Sequence, residues 1–236
     1  MDITHYRHTL DQPWGKIFYE VLFHQLKDIK GQTILDFGAG FCLTAAFLAE
    51  HNDVTAVEPS SAMLHHEKQD NIKKYLGSLE QLEALATASF DLIICHNVLE
   101  YVPLDQHATY LTAFARLLKP GGQLSIIKHN RSGKVMQEVV FGNKIDYALE
   151  LLAGGDYKSP SFSQGVCYEL EDLTQTDDFI IDRYQGIRTF YALQPNEVKI
   201  EDDWLDNLTK MELAVCDLTP YKDISFFHHV WLRKES

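Results

Sequence analysis

The sequence predicts an α/β fold in which a largely parallel sheet is covered by helices on both faces. Two observations carry this expectation. Short apolar runs, Thr33–Phe37, Val54–Glu58, Phe90–Cys95 and Gln123–Lys128, alternate with segments of helical period, which is the pattern of right-handed βαβ units. Each of the first two runs carries an acid at or next to its last position, Asp36 or Glu58, and leads into a turn, Gly38-Ala39-Gly40 or Pro59-Ser60-Ser61, as strands feeding helices do.

The elements follow in order. Residues 1–30 read as an N-terminal arm and a helix. Pro13-Trp14-Gly15 breaks what precedes, and Ile17, Phe18, Val21, Leu22 and Leu26 recur at helical spacing from Lys16 to Ile29. Residues 31–130 form the alternating core. A helix is expected over Leu43–Glu50, a second from Pro59 through about Gln69, and a weaker strand over Asn71–Leu76. A long amphipathic helix spans Leu104–Leu118 and is stopped by Lys119-Pro120-Gly121-Gly122. Residues 131–178 read as an insertion over the sheet, a lid with one helix-like stretch (Lys134–Leu152) and a polar loop containing Ser159-Pro160-Ser161. Residues 179–236 supply a strand (Phe179–Phe190), a helix (Asp202–Val215) and a closing strand (Ser225–Leu232). A long connection between two late strands implies an antiparallel pair at the sheet edge.

Composition narrows the function classes. The chain has 236 residues and a formal net charge of -13, which opposes phosphate-rich partners, so no DNA is expected and RNA would need a local basic patch. The N-terminus lacks the apolar region of a signal peptide, and no apolar stretch is long enough to span a bilayer. Four cysteines far apart in sequence read as free thiols of a cytoplasmic protein. Neither the cysteines nor the 11 histidines show metal-ligand spacing, and no metal site is expected.

The strongest chemical signal is Asp36-Phe37-Gly38-Ala39-Gly40. It sets a carboxylate at a strand end and two glycines in the turn, where a ligand can approach the backbone. The dinucleotide fingerprint wants Gly or Ala where Leu43 stands. An acid before the turn also suits an ammonium better than a pyrophosphate, and S-adenosylmethionine carries an ammonium and a sulfonium but no phosphate. Glu58, at the end of the second strand, is placed to accept from ribose hydroxyls, with Pro59 following. Ser78 and Leu79 stand where a backbone amide and a small polar group would read an adenine edge. Met63 lies either against an adenine face or in the core. His96, at the mouth of the Phe90 strand beside Asn97, is a candidate general base, a cofactor-packing residue or a wall residue.

Taken together, Asp36-x-Gly38-x-Gly40, Glu58-Pro59-Ser60, Ser78-Leu79-Glu80, Phe90–Val102 and Leu117–Gly122 resemble the successive motifs of class I S-adenosylmethionine-dependent methyltransferases. The resemblance implies a Rossmann-like, seven-stranded sheet of order 3-2-1-4-5-7-6 with the last strand antiparallel. A narrower resemblance runs through His129-Asn130-x-x-Gly133, Gly186-Ile187-Arg188-Thr189-Phe190, Tyr221 and Phe227–Trp231. It is to the bacterial tRNA 5-carboxymethoxyuridine carboxyl methyltransferase family, which esterifies a carboxylate on the wobble nucleoside. It implies O-methylation of a carboxylate on a small molecule or a tRNA nucleoside, with Arg188 a candidate to hold it; His129 and His96 are base candidates for an acceptor that needs deprotonation. Three departures accompany it. Ser78 stands where Asp is common, the insertion has a single lysine in Ala153–Pro160, and the arm offers either Arg7 or Lys16 as its basic residue. A catalytically silent module with the same fold is the alternative from another class.

Overall fold

A computed structural model describes residues 3–156, 165–200 and 203–235; the expected Ser159-Pro160-Ser161 loop lies outside the described residues. In chain order the elements are α1 (Ile3–Leu10), α2 (Pro13–Leu26), β1 (Thr33–Phe37), α3 (Leu43–Leu48), β2 (Asp53–Glu58), α4 (Ser61–Leu64), β3 (Ile72–Leu76), α5 (Leu79–Glu83) and β4 (Phe90–His96), then α6 (His107–Leu117), β5 (Leu118–His129), α7 (Arg131–Val140), α8 (Ile145–Leu152), β6 (Phe179–Ile187), α9 (Trp204–Val215) and β7 (Phe227–Lys234). The strands make one seven-stranded sheet of order β3-β2-β1-β4-β5-β7-β6. The first five positions are parallel. β7 runs the other way: Glu235 bonds back to Asp178 at one end, and Phe226 bonds to Arg188 and receives a bond from Asn130 at the other.

Several boundaries differ from those expected. α2 begins at Pro13, where a missing N–H costs nothing and the proline φ suits a first helical turn. α4 is a single turn capped by Ser60. It stops because the following His65–Asp70 offers no apolar face, and the Lys74 ammonium takes the carbonyls of Leu64 and Glu67. The expected Leu104 helix opens as a 3-10 turn, Leu104–Gln106, before α6. β5 starts at Leu118 rather than Gln123, with an irregularity in its pairing to β4 between Phe90 and Leu92. The expected single helix over Lys134–Leu152 is two, α7 and α8, separated at Gly142 and Asn143, the latter at φ 48. β6 ends at Ile187 because Arg188 takes a left-handed φ of 62, which no strand continues.

The described residues fall into two compact units. One draws on residues 26–127, 168–183 and 230–236, and its core is the buried faces of β1, β2 and β4 with Leu111, Phe114 and Leu117 of α6. Here Phe114 meets Phe37 edge-on at 5.3 Å. The other draws on residues 1–25, 128–167 and 184–229. In it Ile17, Phe18, Val21 and Leu22 of α2 are buried, with Phe18 edge-on to Phe227 at 5.3 Å. No helix among the described residues is long and apolar enough to cross a membrane.

Candidate active site

The first unit builds a ligand cradle at the ends of β1 and β2. Gly38 and Gly40 hold φ values of 74 and 53, left-handed positions that glycine takes without strain. A Cβ on Gly38 would drive into the Val98 side chain, and one on Gly40 would press on the Met63 methyl at 3.2 Å. Ala39 closes the turn by donating to the Val57 carbonyl and accepting from Cys42. Glu58 ties the two turns together: its carboxylate accepts from the Gly40 N–H at 2.9 Å and from the Ser60 N–H at 2.9 Å. Burial pushes its carboxyl above the ordinary range.

Asp36 is 3% exposed, and its Oδ2 is buried with no hydrogen-bond partner among the described residues. Desolvation first, then the Glu58 charge, push its carboxyl up to about 7. Two adjacent buried carboxylates, one with a spare oxygen, call for a positively charged guest. They would repel a pyrophosphate. The donor set therefore fits S-adenosylmethionine: Asp36 could take the ammonium and Glu58 the ribose, with the Gly38–Gly40 backbone alongside.

The remaining predicted residues of this unit are placed as follows. Met63 is nearly buried against Gly40. Pro59 lies in the β2–α4 turn. Ser78 precedes α5, and its N–H is held by the Glu80 carboxylate at 2.7 Å, so Glu80 orders the turn that carries Leu79. His96 ends β4 with Nε2 2.8 Å from the Ser125 hydroxyl. Desolvation pulls its pKa down to about 3, so the ring is neutral and a weak base at neutral pH. Asn97 sits at φ 53.

The second unit contains Arg188 and His129. Arg188 is 7% exposed, and its Nε finds no acceptor among the described residues. Aromatic rings surround the guanidinium instead: Tyr191 at 4.7 Å, Phe226 at 4.9 Å, Trp14 at 5.4 Å and Phe227 at 5.6 Å. Burial pulls its pKa down to about 10, so it remains a cation. Lys134 of α7 is also nearly buried and stands 4.5 Å over the Phe226 ring that Arg188 faces. His129 packs against Phe227 at 4.6 Å. Desolvation, with Lys134, Arg188 and Lys128, drives its pKa well below the usual imidazole value.

The sequence motifs around these residues have structural reasons. Asn130 caps α7 through Ser132 and clamps the carbonyls of Asp223 and Ser225. Gly133 lets the Ser225 carbonyl approach where a Cβ would collide with it. Trp14, Lys134, Ser125 and Glu212 were not among the predicted site residues. Glu212 alone carried a readable cue: Leu208, Thr209, Glu212 and Val215 share the buried stripe of α9, while Met211 beside it is 45% exposed. An acid turned inward with a methionine turned outward is a reversed pattern.

A methyltransferase domain family matches residues 35–126. Over those residues the chain is similar to that family. Among curated relatives, a ubiquinone biosynthesis O-methyltransferase of Xanthomonas oryzae pv. oryzae is 33% identical over 142 residues, 57% of this chain and 58% of that one. That of Albidiferax ferrireducens is 32% identical over 167 residues, 65% of each. The chain thus spans about three-fifths of the length of the curated relatives it matches. Among solved structures, an S-adenosylmethionine-dependent methyltransferase from Mesorhizobium loti superposes with a TM-score of 0.61 at 19% identity, covering 94% of this chain and all of that one. The 1,6-didemethyltoxoflavin-N1-methyltransferase of Burkholderia thailandensis, solved with S-adenosylhomocysteine, gives 0.57 at 16%, covering 98% and 84%. These structures share the fold of this chain.

Proposed function

We propose that the chain moves the methyl group of S-adenosylmethionine onto a carboxylate oxygen of a small molecule or a modified nucleoside, and that Arg188 holds the acceptor. The buried, ring-enclosed guanidinium, whose Nε meets no acceptor among the described residues, carries this reading. A cation taken from water without a hydrogen-bonded acid is costly, and an acceptor's carboxylate would supply the hydrogen-bond acceptor that Nε does not find among the described residues.

The two histidines support the same choice. His96 is held to a pKa of about 3 and His129 well below its usual value, so neither is a good proton acceptor at neutral pH. A phenol or an alcohol calls for one. A carboxylate, with an ordinary pKa of about 4, is already ionised. Bound in the cradle, S-adenosylmethionine would supply an electrophilic methyl that a carboxylate oxygen takes in one displacement, with no proton transferred. The chain's contribution is then positioning: Asp36 and Glu58 fix the donor end, Arg188 the acceptor anion. The curated relatives are O-methyltransferases by name, which supports oxygen as the atom methylated.

The resemblance to the tRNA carboxyl methyltransferases makes 5-carboxymethoxyuridine one acceptor to test, although the net charge of -13 opposes a phosphate backbone. The test is transfer of labelled methyl into extract of cells lacking the protein, with tRNA and small molecules counted separately. Label released by mild base is expected from either fraction, as methyl esters hydrolyse. Label that survives base would mean an ether or an amine, and would sink the carboxylate reading. Incorporation into neither fraction would favour the silent module.

A further inference from the structure

The segment after β6 carries a device that reaches Arg188 from a distance in sequence. Glu212 of α9 is 1% exposed. Its carboxylate does not form the hydrogen-bonded ion pair that a neighbouring arginine invites. It accepts three consecutive backbone N–H groups instead: Thr189 at 2.6 Å on Oε2, and Phe190 at 2.8 Å and Tyr191 at 2.9 Å on Oε1. Successive N–H groups that converge after a left-handed residue form an anion-binding nest, and here the anion is built in. The left-handed residue is Arg188 itself, at φ 62. An arginine pays a conformational cost in that region, so something must hold it there.

We infer that Glu212 is a positioning residue for acceptor binding: by capping the 189–191 nest it holds Arg188 in its left-handed conformation and keeps the guanidinium within its ring of aromatics, with Nε left for the acceptor. This rests on the reading of Arg188 as the acceptor's partner. Three features make the assignment specific. Both carboxylate oxygens are spent on backbone, so Glu212 opposes the Arg188 charge without occupying its N–H groups. Tyr191, whose N–H it takes, is also one of the rings against the guanidinium, 4.7 Å away. And the acid stands on the buried stripe of α9, where a leucine would serve packing alone.

The test is made on the whole chain, first without any acceptor. In a ¹⁵N spectrum of the arginine Nε–H region, the Arg188 signal is assigned by its loss in Arg188→Lys. In Glu212→Gln the amide NH₂ faces a backbone donor, and the nest loses part of its cap. The Arg188 signal is expected to shift, and its exchange with water to quicken at least about tenfold, while the rest of the spectrum stays dispersed. Glu212→Asp keeps the charge but is one methylene short of spanning three donors; it carries the same test if the amide variant does not fold. An Arg188 signal unchanged in either folded variant overturns the inference.

Kinetics with the acceptor found by methyl labelling form the second arm. Glu212→Gln should raise the acceptor KM with the affinity for S-adenosylhomocysteine unchanged, and should add nothing in an Arg188→Lys background. Additive effects on KM would show that Glu212 acts on the site independently of Arg188, which also overturns the inference. If Arg188→Lys leaves KM at the wild-type value, the acceptor reading falls on its own, and the spectrum still decides whether Glu212 sets the guanidinium.

Discussion

If Asp36 takes the cofactor's ammonium, cofactor affinity should depend on pH in a way set by its burial. Its carboxyl is pushed up to about 7 in the ligand-free protein, by desolvation and by Glu58. An ammonium prefers the ionised carboxylate, so the competent fraction of the protein falls as pH drops. With a pKa of about 7, that fraction is about 0.5 at pH 7 and about 0.03 at pH 5.5, which weakens apparent affinity about 16-fold across the interval. The ligand's α-amino group stays charged below about pH 7.7, so it does not counter the trend. Glu58, also raised by burial, adds in the same direction on the acid side. The assay is titration calorimetry with S-adenosylhomocysteine, which keeps the ammonium and cannot turn over. Repeating it at pH 6 in buffers of different ionisation enthalpy should show release of about 0.9 proton per ligand bound. Asp36→Asn should bind about 10- to 100-fold more weakly at pH 7, the worth of a charged hydrogen bond, and its residual dependence on pH should be much shallower. Affinity that does not change between pH 5.5 and 7, or the same slope in the asparagine variant, would refute the assignment of Asp36 to the ammonium.

The same carboxyl predicts that Asp36→Asn stabilises the ligand-free protein. A carboxyl whose folded pKa is raised favours the native state below the unfolded value of 3.8, and that contribution is lost as pH rises to about 7. The gain on substitution should therefore be about 4 kcal/mol at most at pH 8 and shrink toward zero near pH 4, as read by urea denaturation. Arg188→Met should raise the acceptor KM about 10- to 100-fold with the affinity for S-adenosylhomocysteine unchanged; an unchanged acceptor KM would remove Arg188 from the acceptor's binding. His96→Gln can keep a bond to the Ser125 hydroxyl and should cost less than about tenfold in kcat, against the 100-fold or more expected for loss of a general base. In the wild type, with His96 at a pKa of about 3, saturating turnover should show no histidine limb between pH 6 and 8.

How much of this was readable in the sequence depends on how local the cause is. The cradle was readable because one strand end and one turn dictate it: Asp36, Gly38 and Gly40 lie within a single βα unit, and Glu58 is the matching residue of the next. Element boundaries were less so, because they answer to partners far along the chain. Lys74 takes the carbonyls of Leu64 and Glu67 and shortens α4, and no feature of residues 61–69 announces that. The acceptor-side unit was the least readable. Arg188 was found only through a resemblance, and nothing near it in sequence shows that Trp14, Phe226 and Phe227 would enclose it.

Glu212 is the instructive case between these extremes. Read by composition, Lys210-Met211-Glu212 is an exposed helical stretch with one stray methionine. Read by phase with Leu208 and Val215, the methionine is outside and the acid inside. A helix that turns an acid toward its core at the expense of an available methionine is spending stability on something, and the desolvation of Glu212 is offset only by the three N–H donors and the arginine charge it meets. Those donors begin at the residue after Arg188, and the arginine is held in a backbone conformation it does not prefer. Two local choices that are each unfavourable, a buried acid and a left-handed arginine, become consistent when taken as one arrangement. What the arrangement produces is a buried guanidinium whose Nε meets no acceptor among the described residues.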